Sequence, residues 1–142
     1  MAYYVRKIRM PFQEVLEKVT ENLKSQGFGV ITSIDVQDTF NKTLNIKFRN
    51  YKILAACNPQ FAYKAISMES HLGMMLACNI VVQEHENGEV EVSGINPLDN
   101  IDSAFNTTLL KTLAQEVGNK LRVTIDYLEK EVPTVHAEAL PA

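Results

Sequence analysis

The 142-residue chain has no tryptophan, only two cysteines and no excess of basic charge, and each shortage removes a class of protein. Two cysteines cannot build the disulfide framework of a small secreted domain, and a reducing cytoplasm would keep them as thiols. Their separation of 21 residues, Cys57 to Cys78, fits no zinc signature, and His71, His85 and His136 form no HxxxH or HExxH pattern. No metal site within one chain is therefore expected. With 14 Lys and Arg against 17 Asp and Glu, the net charge is −3 and the basic residues are scattered. Nothing in that distribution would neutralise a run of phosphates, so nucleic acid is not expected as a partner. No apolar run approaches the roughly 20 residues that a spanning helix needs, and MAYYVRKIRMPF lacks the apolar segment and cleavage site of a secretory signal. The expectation is a cytoplasmic chain with no membrane partner. GxSxG, P-loop, GxGxxG and paired-carboxylate arrangements are missing too, so no catalytic residue can be named and the cofactor is unspecified.

What is present is a 46% apolar composition, enough for one continuous core, in a length that suits one domain. That domain is expected over residues 1–130, with 131–142, EVPTVHAEALPA, as a flexible tail carrying two prolines and no periodicity. Alternation at Ala2 to Ile8 marks a first strand. Pro11 opens a helix with Phe12, Val15, Leu16, Val19 and Leu23 on one stripe, and Gly27 stops it. FGVITSIDV, residues 28 to 36, is a β-branched second strand; Val36, Phe40 and Leu44 then recur at fours, as in a short helix. Residues 45 to 50 read as a connector, because the parity of apolar positions changes there.

Tyr51 to Cys57 is a third strand, so continuously apolar that cover on both faces is expected. Asn58 and Pro59 then announce a second long helix, with asparagine as cap and proline at the first helical position. After a short turn at His71 to Gly73, Met74 to Glu84 reads as a fourth strand. Asn87 and Gly88 supply a hairpin turn into a fifth, Glu89 to Ile95, with Val90, Val92 and Gly94 on one face. Glu84, Glu86, Glu89 and Glu91 along this hairpin read as a solvated face protecting an edge. Asn96 and Pro97 close the strand, Leu98 to Asn100 lead onward, and Leu110, Leu113, Ala114, Val117, Leu121, Thr124 and Leu128 stripe a long final helix. Gly118 interrupts that helix, which points to a close neighbour there. The order β-α-β-(short α)-β-α-β-β-α defines an α+β fold, a mostly antiparallel sheet of about five strands with helices packed on one face.

The segments ILAACNP and, some twenty residues on, LACNIVV, followed by INP, resemble domain of unknown function family 302. The matching positions are Ala56, Cys57, Asn58 and Pro59; Ala62 and Ala65; Leu76, Cys78, Asn79, Ile80, Val81 and Val82; and Asn96 and Pro97. GFGVITSIDV resembles the family's second strand, and the resemblance spans about residues 3 to 130. Ala77 departs from it, because proline usually precedes the second cysteine. Alanine restores a backbone donor there, so a more completely paired or a flatter fourth strand is expected. The resemblance implies a compact α+β fold that pairs into homodimers, and for some members a link to sulfur metabolism.

Cys57 stands just before a capped helix, where amide groups and the helix dipole would favour a thiolate. Alternatively it packs on Ala62 as a small hydrophobic staple. Cys78 reads as core, and Asn58 and Asn79 as a helix cap and a strand-end hydrogen-bonder. His71 and His85 read as exposed turn residues, of interest only if a symmetric dimer joined them to cysteines in a metal site. The leading expectation is a non-enzymatic homodimer binding a small molecule or sulfur species beside Cys57, Asn58, Pro59, Cys78 and Asn79. The alternatives are a thiol enzyme or transferase with Cys57 as nucleophile, and a structural partner-binding module.

Overall fold

The periods read from the sequence become β1 (Tyr4–Ile8), α1 (Phe12–Ser25), β2 (Gly29–Asp35), α2 (Val36–Leu44), β3 (Tyr51–Cys57), α3 (Pro59–Met68), a 3₁₀ turn (Ser70–Met75), β4 (Cys78–Glu84), β5 (Val90–Gly94) and α4 (Thr108–Glu131). The computed structural model describes residues 3–96 and 108–131, with side chains as far as residue 128. Glu131, the first residue of the expected tail, ends α4; the rest of that tail, Pro97 and the lead-in at Leu98 to Asn100 lie outside the described residues. Every strand pairing is antiparallel, and the sheet order is β1-β5-β4-β3-β2.

Strand parity decides which side of this sheet is buried. In register, Ile8, Val90 and Val92, then Val82 and Ile80, then Leu54 and Ala56 share one face, and all are buried. Across from them, α1 contributes Val15, Leu16, Val19 and Leu23, and α4 contributes Leu113, Val117, Leu121, Ile125 and Leu128. Burying each of these larger side chains is worth about 1.5–3 kcal/mol, so the two helices and one sheet face hold the domain together. The helices also meet through a buried polar contact, in which the Asn22 amide donates to the Thr124 carbonyl at 3.3 Å. Beside them the Arg6 guanidinium reaches from β1 to Asp126 of α4 at 2.7 Å.

The opposite face is the departure from expectation. Rows Val5–Ser93–Val81–Ile53–Ile34 and Asn79–Ala55–Thr32 run across it. None of these residues is buried, and Ile34 is 49% exposed. The unbroken apolar run of β3 predicts cover on both faces; among the described residues, buried helix side chains pack on one. α1 and α4 both pack inward, while α2 buries none of its own residues.

Two further expectations change. The fourth strand begins at Cys78 rather than Met74, because pairing with β3 ends at Ala56↔Cys78. The preceding residues instead wind into the 3₁₀ turn, started by the Glu69 carboxylate accepting from the His71 N–H at 3.1 Å and anchored by buried Leu72. Ala77 therefore adds no pairing to the strand. The hairpin glutamates guard no edge either, since β5 lies between β1 and β4. Glu89 is buried, held by Asn87, whose side-chain oxygen accepts from the Glu89 N–H at 3.0 Å.

Gly118 has the close neighbour that its place in the helix foretold. A Cβ there would sit 3.1 Å from Asn96 Nδ2 and 3.5 Å from Tyr4 Oη. Asn96 is fully buried and donates to the Ala114 carbonyl at 2.7 Å, so it has little room to yield. Glycine to alanine in an open helix gains about 1 kcal/mol. Gly118→Ala is expected to do the reverse and lower stability by about 1 kcal/mol or more, read as a fall in the urea midpoint.

Candidate functional site

Antiparallel pairing brings Cys57 and Cys78 to the same end of the sheet. Cys78 stands opposite Ala56, and Cys57, one residue on, stands opposite Gly29 of β2. Successive residues of a strand point to opposite faces, so the two thiols are separated by the sheet itself. Cys78 is buried among the helices, Cys57 is half-buried on the outer face, and both are free.

The same parity divides the other candidates. Asn79, beside Ala55, is exposed on the outer face near Cys57. Asn58 turns inward and joins Phe28, Phe61, Met75, Leu76 and Cys78 around a void of about 10 Å³. That is room for one water at most, so the inner side holds no ready-made ligand pocket at this point. Pro59 takes the first position of α3, as its fixed φ favours. The five residues thus form two groups, Cys57 with Asn79 outside and Asn58 with Cys78 inside.

Asn58 does not cap α3 through its side chain, contrary to expectation. Its amide donates instead to the Gln26 carbonyl at 3.3 Å, tying the start of α3 to the end of α1. The end of α1 is a Schellman turn, with Phe28 N–H donating to Leu23 O at 2.9 Å and Gly27 N–H to Lys24 O at 3.0 Å. Gly27 there has φ +86, and an added Cβ would come 3.0 Å from Asn58 Nδ2. Glycine is needed twice over, for the left-handed backbone and for the room. Gly27→Ala is expected to cost about 1–2 kcal/mol from the backbone conformation, with further loss from displacing Asn58, measurable by thermal or urea melts.

Electrostatics at the thiols oppose the thiolate expectation. Burial raises the Cys57 pKa, the direction opposite to the one a helix start would give. Burial, helped by the nearby Cys57, pushes the Cys78 thiol from an ordinary 9.0 up to about 12. Neither ring nitrogen known to be engaged serves a thiol, since His71 Nδ1 meets Glu69 at 2.7 Å and His85 Nε2 meets Glu91 at 3.2 Å. His71 is exposed as expected; His85 is half-buried. Among the described residues no group of three or more His, Cys, Asp or Glu is placed to hold a metal ion.

A raised thiol pKa has a definite sign in stability. Between pH 9 and about 12 the unfolded Cys78 loses its proton while the folded one keeps it, so rising pH favours unfolding. Stability should fall through that window by up to about 1.4 kcal/mol per pH unit from this group. Urea melts across the same pH range, compared with Cys78→Ala, are expected to show a shallower fall in the variant.

A second concave region involves residues 47–49 of the segment that reads in the sequence as a connector. Lys47, Phe48 and Arg49 face His85, Glu86 and Asn87 across an open groove of about 710 Å³. The Arg49 guanidinium carbon lies 4.4 Å from the Phe48 ring centroid and 5.6 Å from that of Tyr51. The aromatic-Arg-aromatic run at residues 48–51 is the signal that was available.

Together these features define a two-layer antiparallel α+β domain, with helices on one face, an open second face and no assembled catalytic group among the described residues. Over residues 4–128 the chain matches the family described as Domain of unknown function DUF302, and it belongs to that family. It is similar to a solved structure, the crystal structure of uncharacterized conserved protein DUF302 from Bacillus stearothermophilus. The identity is 28% and the TM-score 0.77, over 89% of this chain and 97% of the other. No curated protein gives a significant match.

Proposed function

We propose that this DUF302 domain is a non-catalytic binding domain that works as a homodimer, its open sheet face set against a second copy. The observation that carries the reading is the outer face itself. One face of an antiparallel sheet can be left to water, and it is then usually polar. Here Ile34, Ile53 and Val81 stand side by side at its centre, with Val5 further along the row and Ala55 beside it. Lys7, Glu91, Gln83 and Asn79 surround them. An apolar centre with a polar rim is the pattern of an interaction surface, and a two-fold axis lets one such patch meet its own copy. No helix among the described residues is long and apolar enough to cross a membrane. A cytoplasmic setting suits two thiols that remain unpaired.

A small ligand would lie at the Cys57 end of this face, where Gly29 opposite Cys57 leaves open space and Asn79 supplies a polar group. The raised Cys57 pKa favours binding to a protonated thiol over nucleophilic attack, and a neutral sulfur species or another small soft molecule fits that chemistry. A thiol enzyme with Cys57 as nucleophile draws no support from this direction of shift.

Sedimentation equilibrium across the micromolar range tests the dimer. The wild type should sediment as a dimer and Ile53→Lys as a monomer that keeps its circular dichroism and loses under about 1 kcal/mol of folding stability. A wild type that stays monomeric at the highest concentrations sinks the proposal. For the thiol, alkylation rate against pH should place Cys57 above the free-cysteine value of about 8.5. A value at or below that figure would restore the enzyme reading.

A further inference from the structure

From the groove beside Arg49 we infer a second ligand site, one that takes a small molecule through an oxyanion, a carboxylate or a phosphate monoester. It lies at the opposite end of β3 from Cys57, beside the polar rim of the proposed dimer face, with which it shares Gln83 and Glu91.

An exposed arginine ordinarily samples many rotamers, which makes an exposed ion pair weak. Arg49 is exposed yet held on two sides. Its guanidinium rests on Phe48 and Tyr51, and Phe48 is braced edge-on by Phe40 with ring centroids 5.1 Å apart. Its Nε donates to Gln83 Oε1 at 3.0 Å, and the Gln83 amide donates in turn to Glu91 Oε2 at 3.3 Å. Glu91 is occupied on its other oxygen by His85 at 3.2 Å, and Lys7 stands opposite it in the sheet register. The acidic group nearest in this chain of contacts is therefore already satisfied and does not claim the arginine.

The outcome is a guanidinium with its plane and one edge fixed while its two terminal NH₂ groups have no protein acceptor among the described residues. That is the half of a bidentate fork that a planar carboxylate or a phosphate completes. Lys47 lines the same groove and pairs with no carboxylate among the described residues, so a second positive charge is at hand. Glu86 is the opposing charge on the rim, and it favours a ligand with one compact anionic end over a polyanion. Phe48 also lines the groove and supplies aromatic surface beside the fork, which suits an anion carried on a small ring. The groove's volume falls within the range of small-ligand sites, though its openness to solvent calls for millimolar affinity.

The test is a two-dimensional NMR titration of the full chain with phenyl phosphate and, separately, benzoate, at constant ionic strength. Saturable shifts centred on Lys47, Arg49, His85 and Asn87 are expected with at least one probe; phenyl phosphate alone would assign a phosphate ester, benzoate alone a carboxylate. Arg49→Lys keeps the charge and removes the fork, and should weaken binding about fivefold or more. Gln83→Leu, which removes the Nε anchor, should weaken it by a smaller factor. Lys64→Ala, a control on exposed α3, should leave binding unchanged. Shifts that fail to saturate with both probes, or an Arg49→Lys protein that binds as well as the wild type, would overturn the inference. Arg49 is at the surface, so both variants are expected to retain the wild-type spectrum elsewhere. Because Gln83 and Glu91 also border the proposed dimer face, the titration is repeated on Ile53→Lys, where the shifts are expected to persist; their loss there would overturn a site carried by one chain.

Discussion

One-sided burial is the constraint on which the rest of this structure depends. An antiparallel sheet offers two faces, and α1 and α4 both spend their apolar stripes on the same one. The helices are tied to each other by Asn22 and Thr124 and to the sheet by Ile8, Ile80, Val82, Val90 and Val92. Strand parity then becomes a hard division, because each residue is assigned to a packed interior or to an open surface with nothing between.

That division governs the chemistry of the two Cys-Asn pairs. They look alike as a sequence motif, but their registers are offset by one residue across the sheet, with Cys78 opposite Ala56 rather than Cys57. The offset sends one thiol inward and one outward, and it exchanges the asparagines in the opposite sense. The buried members, Asn58 and Cys78, serve the joint where α1, α3 and β4 meet. The outer members, Cys57 and Asn79, belong to the face opposite the one on which α1 and α4 pack. Desolvation acts on both thiols and raises both pKa values, the direction opposite to the one the helix start behind Cys57 would give. Proximity to a helix terminus stabilises a thiolate only when the sulfur is solvated enough, or aligned closely enough, for the dipole to outweigh burial.

At the far end of the sheet the same one-sidedness has another effect. Phe48, Tyr51 and Arg49 stack without entering the core, and Gln83 and Glu91 from the outer face reach across to hold them. Interior packing does not explain this ordered surface cluster. Its members come from the connector, β3, β4 and β5, and no stretch of sequence contains them together.

Much of the fold was legible because its signals are local. The helical stripes of α1 and α4, the proline at the start of α3, the glycine ending α1 and the Asn-Gly hairpin each act within a few residues, and each appears where expected. The α+β class and five-stranded antiparallel sheet follow from their order. The errors arose where partners from elsewhere decide. Met74 to Ala77 are apolar enough for a strand, yet pairing with β3 stops at Ala56↔Cys78, before reaching them. Glu89 is charged, yet the hairpin places it in a buried corner beside Asn87. The side chain of Asn58 was read as a cap for its own helix and bonds to another one. By itself the sequence determined which segments become helix or strand, since local periodicity and turn chemistry set those. Only the tertiary structure decided which face of β3 the helices α1 and α4 pack on, which thiol lies inside, and which side chains gather around Arg49, because burial and pairing depend on residues far apart in the chain.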